Sequence, residues 1–388
     1  MGPLSGIRVL ELEAIGPAPF AGMLLADMGA DVLVVDRPAS TDLGLKRERS
    51  LDVMMRGKRS VTLDLKSASA KELALQLIEK ADVLIEGMRP GVMERLGLGP
   101  DKALERNPKL VYGRMTGWGQ TGPLAVRAGH DINYIALAGV LHAFGRKGEA
   151  PVPPLNLIGD FGGGGMLLGF GVACALIETS RSGKGQVIDA AMIEGAALLA
   201  AMFSGLLAAN TWSEERGANI LDTGAPWYNV YETKDGKYVS VGAIEERFYK
   251  ELLLRLQLNE KDLPQHDRPK WPQMKSLFEK TFKAKTRDEW VKVFEGSDAC
   301  FAPVLSWSEA PRHPHNRARS AYISVKRVEQ PAPAPRFSRT PAEVLHPPPE
   351  RGEGGKQALL DWGFTAQEVN HLKSRGLGVE PATAASKD

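Results

Sequence analysis

The stretch up to Asp36 constrains the fold most tightly. Two strand-like apolar runs, Ile7–Leu12 and Asp31–Asp36, flank a helix-patterned segment from Pro19 to Gly29 whose apolar residues include Phe20, Met23, Leu24, Leu25 and Met28. Strand, helix and strand in so short a span make a βαβ unit, and βαβ units build parallel sheets covered by helices. The alternation continues with a strand near Ser60–Leu65, a helix over Ala70–Lys80, a strand over Val83–Glu86 and another over Leu110–Met115. The N-terminal half is therefore expected to be an α/β domain on an open, Rossmann-like parallel sheet.

The remaining sequence has a different character. A chain of 388 residues is too long for one core, so two domains with room for a cleft are expected. Met192–Asn210 reads as one long buried helix leading away from the sheet. Beyond it, Tyr228–Thr233 and Lys237–Val241 flank Lys234-Asp235-Gly236, and Asp-Gly between alternating runs signals a β-hairpin. Helical stretches follow near Glu246–Leu256 and Pro272–Lys283. Pro331, Pro333, Pro335, Pro341, Pro347, Pro348 and Pro349 then exclude helix and central strand, which leaves an extended strap. Thr365-Ala366-Gln367-Glu368 supplies a capping box for a terminal helix. The expected organisation is a large α/β domain over 1–190, a helical linker over 191–225, a small α+β domain over 226–310, and a strap with a C-terminal helix over 311–388 that packs on the large domain.

Composition narrows the classes of function. Lys plus Arg number 49 against 47 for Asp plus Glu, so no general field steers the protein to nucleic acid or an anionic membrane. Any anionic ligand must be held by a few local cations. Cys174 and Cys300 sit apart in apolar surroundings and read as reduced core thiols of a cytoplasmic protein. The N-terminus has an early Arg followed by carboxylates, unlike a signal peptide, and the C-terminal Ala-Ser-Lys-Asp is not a peroxisomal address. The longest apolar run, Gly195–Ala209, falls short of the roughly 18 residues of a membrane span. A soluble protein without membrane insertion is expected.

Several segments carry polar chemistry. The first βα turn, Gly16–Gly22, has Ala and two prolines where a dinucleotide pyrophosphate would need glycine. Asp36 stands where a ribose-binding acid would, but Arg37 follows it and suits a phosphorylated ribose, against the alternative of a surface Arg at a strand end. Arg56-Gly57-Lys58-Arg59 reads as a solvated loop. Arg95, uninformative alone, joins Arg37 as a possible local cation for a ligand with several phosphates.

Gly129-His130-Asp131-Ile132-Asn133-Tyr134 crowds polar groups ahead of an apolar helix, and His130 alone of the seven histidines has this setting. A structural role for it competes with a catalytic one. Asp160 precedes Gly162-Gly163-Gly164-Gly165, a run that opposes regular structure and suits close approach of backbone to a ligand. It reads either as an N-cap of the helix Met166–Ile177 or as an acid/base facing a glycine-walled pocket. Glu245, at the end of the hairpin, is read from its own surroundings as an ordinary first-turn carboxylate.

Taken in order, these segments resemble the alpha-methylacyl-CoA racemases of the family III CoA-transferase superfamily, from Gly6 to about Arg339. The resemblance is carried by Asp36-Arg37-Pro38, Arg56–Ser60, Leu63-Asp64-Leu65-Lys66, Arg89-Pro90-Gly91-Val92, Thr116–Gln120, the His130 and Asp160 segments, Gly183–Ala190 and Val241–Glu245. It implies the family III CoA-transferase fold and a homodimer of interlocked chains. It implies His130 and Asp160 as the catalytic pair, with Glu245 from the other subunit hydrogen-bonded to the His. CoA contacts map to Arg37, Leu63, Asp64, Leu65, Lys66, Arg95, Asp131 and Tyr134. The family commonly has Pro-Gln where Glu246-Arg247 stands and often Gly at Thr223.

The implied activity is inversion of the carbon α to a CoA thioester, with an acyl-CoA as substrate and CoA as its handle rather than a separate cofactor. Such inversion needs one proton-transfer group on each face of the carbon, and moves only a proton. The alternative within the superfamily is a CoA-transferase in which Asp160 attacks the thioester to form an anhydride and then an aspartyl-CoA thioester. A non-catalytic acyl-CoA-binding protein is the third class.

Overall fold

β1 (Arg8–Leu12), α1 (Pro17–Asp27) and β2 (Asp31–Asp36) form the βαβ unit expected from the sequence. The computed structural model describes residues 2–39, 47–67 and 69–381, so the C-terminal Ala385-Ser386-Lys387-Asp388 lies outside the described residues. β3 (Lys58–Thr62), α2 (Ala70–Lys80), β4 (Val83–Glu86), α3 (Val92–Leu96), α4 (Pro100–Arg106) and β5 (Val111–Thr116) continue the alternation. Next come α5 (Asp131–Leu137), a π-helix (Leu157–Met166) running into α6 (Leu167–Ser182), then β6 (Gln186–Ala191) and α7 (Met192–Leu199).

The six strands pair in parallel in the order β3-β2-β1-β4-β5-β6. Side chains alternate across the sheet, as a period of two requires. Leu10, Leu33, Leu84 and Tyr112 pack on one face with Leu73, Leu77, Trp362 and Leu372. Val9, Val32, Val83 and Val111 pack on the other with Ala18, Leu25, Leu168 and Val172. Burial on both faces explains why β2 reads Val-Leu-Val-Val without polar interruption. The strand order reverses between β1 and β4, and open parallel sheets bind ligands at the carboxyl ends of strands beside such a reversal.

The chain divides into two compact units, the first comprising Met1–Ala138, Leu155–Leu199 and Tyr322–Asp388 and the second Gly139–Pro154 and Ala200–Ala321. The stretch 191–225 thus contributes α7 to the first unit and its remainder to the second. Within the second lie α8 (Ala201–Ala208), β7 (Tyr228–Glu232), β8 (Tyr238–Gly242), α9 (Glu246–Leu256), α10 (Trp271–Phe282), α11 (Arg287–Phe294), β9 (Phe301–Pro303) and α12 (Pro314–Ala318). The Asp-Gly hairpin forms as expected, with β7 antiparallel to β8 and β9 added at its edge. An aromatic core of Trp227, Tyr231, Phe278, Phe282, Trp290 and Phe294 fills this unit. Back in the first unit, β10 (Tyr322–Val325) and β11 (Val328–Pro331) make a hairpin, and α13 (Gly355–Asp361) and α14 (Ala366–Ser374) follow the proline strap. Thr365 caps α14 and Glu368 reaches back to its N–H at 2.7 Å, the capping box read from the sequence.

Three expectations are corrected. Arg56–Arg59 is not a solvated loop. Arg56 is buried and paired with Asp27 at 2.6 Å, Lys58 is buried between both oxygens of Glu11, and Arg59 pairs with Asp31 and Asp361. Both cysteines are free but exposed rather than in the core, since Cys174 lies on the outer face of α6 and Cys300 in the turn before β9. The long buried helix over 192–210 breaks at Ala200 into α7 and α8, and Leu198, Leu199 and Met202 are each more than half exposed. The helical stretch Leu157–Ser182 has the length and apolarity of a membrane span, a third of it buried. It carries Asp160 and is backed on one side by β6 and α1.

Candidate active site

The carboxyl ends of β1, β4 and β5 gather the central residues of the site. β1 leads into Gly16, whose φ of 65° puts it in the left-handed region, and a Cβ there would stand 3.1 Å from Asp160 Oδ2. β4 leads to Arg89, and β5 leads through Gly117 and Trp118 towards α5. His130 occupies the N-cap of α5. Its carbonyl accepts from Asn133 N–H at 2.8 Å, and its own N–H donates to Asn133 Oδ1 at 3.0 Å. These bonds fix the His130 backbone while its side chain stays exposed.

Tyr134 anchors α5 from below. Its hydroxyl donates to the Gly129 carbonyl, and its ring meets Trp118 edge-on at 4.7 Å between centroids. Gly117 has to be glycine here, because a Cβ would fall 2.0 Å from the Tyr134 ring. Burial, with Asp160 nearby, pushes the Tyr134 hydroxyl up to about 12, so it stays a neutral donor.

Asp160 lies in the first turn of the π-helix, half-buried, and accepts from Asn156 Nδ2 at 2.9 Å. Burial raises its carboxyl above the ordinary aspartate value of 3.8. The Asn156 hydrogen bond opposes that shift, the Asp131 charge reinforces it, and His130 opposes it. A carboxyl with raised proton affinity and an imidazole, one on each face of a reacting carbon, can remove a proton from one side and deliver one to the other.

The glycine run departs from expectation. It does not form a loop ahead of a helix at Met166; it lies inside the π-helix. Gly163 and Gly165 admit the backbone of neighbouring helices. A Cβ on Gly163 would lie 2.5 Å from Ala196 N, one on Gly195 1.8 Å from Gly163 O, and one on Gly165 2.7 Å from Pro17 O. The run lets α7 and α1 press against the helix that carries Asp160.

Five of the expected CoA-contacting residues lie beyond β2 and β3 on the same sheet edge. Arg37 follows β2 directly, and its N–H donates to Glu13 Oε2 at 2.8 Å. Leu63 is buried in the core, so only its backbone is open to a ligand, whereas Asp64 and Lys66 are exposed and Leu65 packs on the core margin. Arg95 is exposed on the last turn of α3. Asp131 and Tyr134 are buried. Asp36 is no ribose ligand. Ser60 Oγ and Arg49 each reach its Oδ2 at 2.5 Å, with Arg351 at 3.5 Å from Oδ1. Arg89, which the sequence offered only as part of a motif and with no role, is an exposed cation just beyond β4 whose charge acts on Tyr134. Its position directly after a strand bordering the reversal was the available signal.

Glu245 lies in the second unit, exposed, as the N-cap of α9. Gln265 Nε2 braces the approach by donating to the carbonyls of Ala243 at 3.1 Å and Ile244 at 2.8 Å. The unusual Glu246-Arg247 pair turns to its own helix. Glu246 binds Lys250 at 2.7 Å, and Arg247 lies over the Phe248 ring at 4.4 Å. Trp227 belongs to the core and is fully buried.

A family model described as CoA-transferase family III matches residues 4–354. Alpha-methylacyl-CoA racemase of Mus musculus is 46% identical over 374 residues, covering 96% of this chain and 96% of that protein. Alpha-methylacyl-CoA racemase of Homo sapiens is 44% identical with the same coverage. Among solved structures, a CaiB/BaiF family protein from Brucella suis matches with a TM-score of 0.79 at 26% identity, covering 93% of this chain and 99% of that one.

Proposed function

This chain belongs to CoA-transferase family III, and from that premise we propose that it is an isomerase that inverts the carbon α to the thioester of a 2-methylacyl-CoA. The observation that carries this reading is Asp160, a half-buried carboxyl whose proton affinity burial raises and on which the charge of His130 acts. The racemases of Mus musculus and Homo sapiens support it through their similarity along nearly the whole chain.

In one direction His130 removes the α-proton and Asp160, protonated, delivers one to the opposite face; in the other direction the roles exchange. The thioester oxygen gains enolate character between the two steps. Backbone N–H groups of the first turn of α5 are suited to donate to it. CoA lies along the carboxyl edge of the sheet, its phosphates held by Arg37, Arg95 and the 63–66 segment, and its binding positions the small reacting carbon. The protein acts as an interlocked homodimer in which Glu245 of the partner subunit orients His130. Exposed Leu137, Met166, Phe170 and Leu198 supply apolar surface for such an association.

Incubation with a single epimer of a 2-methylacyl-CoA in D₂O tests the reading. Deuterium at the α-carbon of both epimers, without an acceptor acid, is expected. If exchange is absent while hydroxylamine traps an activated Asp160 during turnover with an acceptor acid, Asp160 is the nucleophile of a CoA-transferase instead. CoA binding with neither reaction marks a binding protein.

A further inference from the structure

Asp131 follows His130 in sequence, yet its carboxylate is directed into the protein and is only 6% exposed. Oδ1 accepts the backbone N–H of Asp160 at 2.8 Å, while Oδ2 is buried without a hydrogen-bond partner. A buried unpaired carboxylate oxygen is costly, and its neighbour Gly159 is shaped to admit it. A Cβ on Gly159 would lie 2.5 Å from Asp131 Oδ1. One side chain thereby joins α5, capped by His130, to the helical turn that carries Asp160.

We propose that Asp131 is a positioning residue for Asp160, holding its backbone through Oδ1 and keeping a second carboxylate, with Oδ2 unpaired, close to it. This rests on the racemase reading and gives Asp131 a task other than contact with CoA. The groups around Asp160 bear it out. His130, Asp131 and Tyr134 face it from α5, Asn156 from the preceding turn, and Gly16 from the start of α1 brings no charge. The packed helix α7 carries Glu194, which is exposed. Arg89 acts on Tyr134 from the end of β4. Burial is the largest cause of the raised proton affinity of Asp160, and Asp131 is the neighbouring carboxylate that adds to it while fixing the geometry.

Asp131→Asn keeps an acceptor of the same shape and removes the charge. The Asp160-dependent limb of the kcat–pH profile is expected to move to lower pH, with KM for the CoA ester within about twofold of wild type. Asp131→Ala removes the hydrogen bond as well and is expected to lower kcat by roughly 10–100-fold. Carbon-13 NMR of aspartate-labelled protein, with Asp160→Asn for assignment, reads the same change without turnover, since the Asp160 carboxyl should titrate at lower pH in Asp131→Asn. Gly159→Ala, which displaces Oδ1, gives an equivalent readout if Asp131→Asn does not fold. An unchanged Asp160 titration, or an effect on KM alone, overturns the proposal. A shifted titration in a protein whose wild type shows no α-proton exchange keeps Asp131 in this role and sinks the racemase reading only.

Discussion

Arg351, in the C-terminal strap, donates from Nη2 to Glu13 Oε1 at 2.6 Å across 338 residues of chain. Its Nη1 also donates to the Arg37 carbonyl at 2.8 Å, and Glu13 accepts the Arg37 N–H, so the strap clamps the end of β2 from both sides. The strap's prolines keep it extended, and its carbonyls at His346 and Pro349 bind Gly57 N–H and Arg49 on the way.

Arg351→Ala should therefore cost about 2 kcal/mol at neutral pH, the scale of a hydrogen-bonded charge pair with limited solvent access. Burial works to raise the Glu13 carboxyl, but Arg351 and the Arg37 N–H outweigh it and hold it below the ordinary 4.5. A depressed carboxyl contributes stability above its unfolded value and loses it as pH falls through the folded one. Urea unfolding should show the gap between variant and wild type in full above pH 4.5 and closing below it. A gap that persists undiminished in acid would exclude the ion pair as its source. KM for an acyl-CoA should rise while kcat holds, because the clamp supports Arg37.

The buried Lys58–Glu11 pair makes a second prediction. Lys58 Nζ lies 2.8 and 2.7 Å from the two Glu11 oxygens and 2.9 Å from the Pro19 carbonyl, under α1. Lys58→Met leaves a carboxylate buried alone and should destabilise by about 3–5 kcal/mol. Lys58→Met with Glu11→Leu should recover most of that loss. If the double variant is as unstable as the single one, packing rather than charge holds this site.

For the chemistry, His130→Ala and Asp160→Asn should each slow α-proton exchange by roughly 10²–10⁴-fold, and from opposite epimers. Since burial first and Asp131 after it raise the Asp160 carboxyl, the acid limb in the direction where Asp160 is the base should lie above 3.8. Loss from both epimers in one variant with near-normal exchange in the other would show that one group serves both faces.

Thr223 offers a test of backbone strain. It holds φ at 72°, a left-handed conformation that costs a β-branched residue stability, beside Asp222, which accepts from Gly217 N–H at 3.0 Å and Asn219 N–H at 2.8 Å. Thr223→Gly should raise stability by about 1 kcal/mol, read as a higher unfolding midpoint with an unchanged urea slope. A lower midpoint would mean that the Thr223 side chain contributes more than the strain removes.

Local pattern made much of this fold legible. Runs of Val and Leu over 31–36 and 83–86, the Asp-Gly turn at 235–236 and the Thr365–Glu368 box each act within a few residues, and each formed where the pattern placed it. His130 and Asp160 stood out because polar groups beside apolar helices are uncommon. The basic run at 56–59 misled because its partners are remote in sequence: Asp27 is 29 residues from Arg56, and Glu11 is 47 from Lys58. The glycine run misled because only the packed structure shows it inside a π-helix, with Gly163 and Gly165 against the backbone of neighbouring helices.

The sequence by itself determined the order and type of the elements and the open parallel sheet, since propensity, periodicity and turn chemistry are short-range. Tertiary structure decided the environment of each charge. It buried Lys58 against Glu11 and left Cys174 in solvent. It also seated Asp131 under Asp160, 29 residues away. The strength of a charge depends on burial and on distance to its partners, and both are set only when segments far apart in the chain pack together.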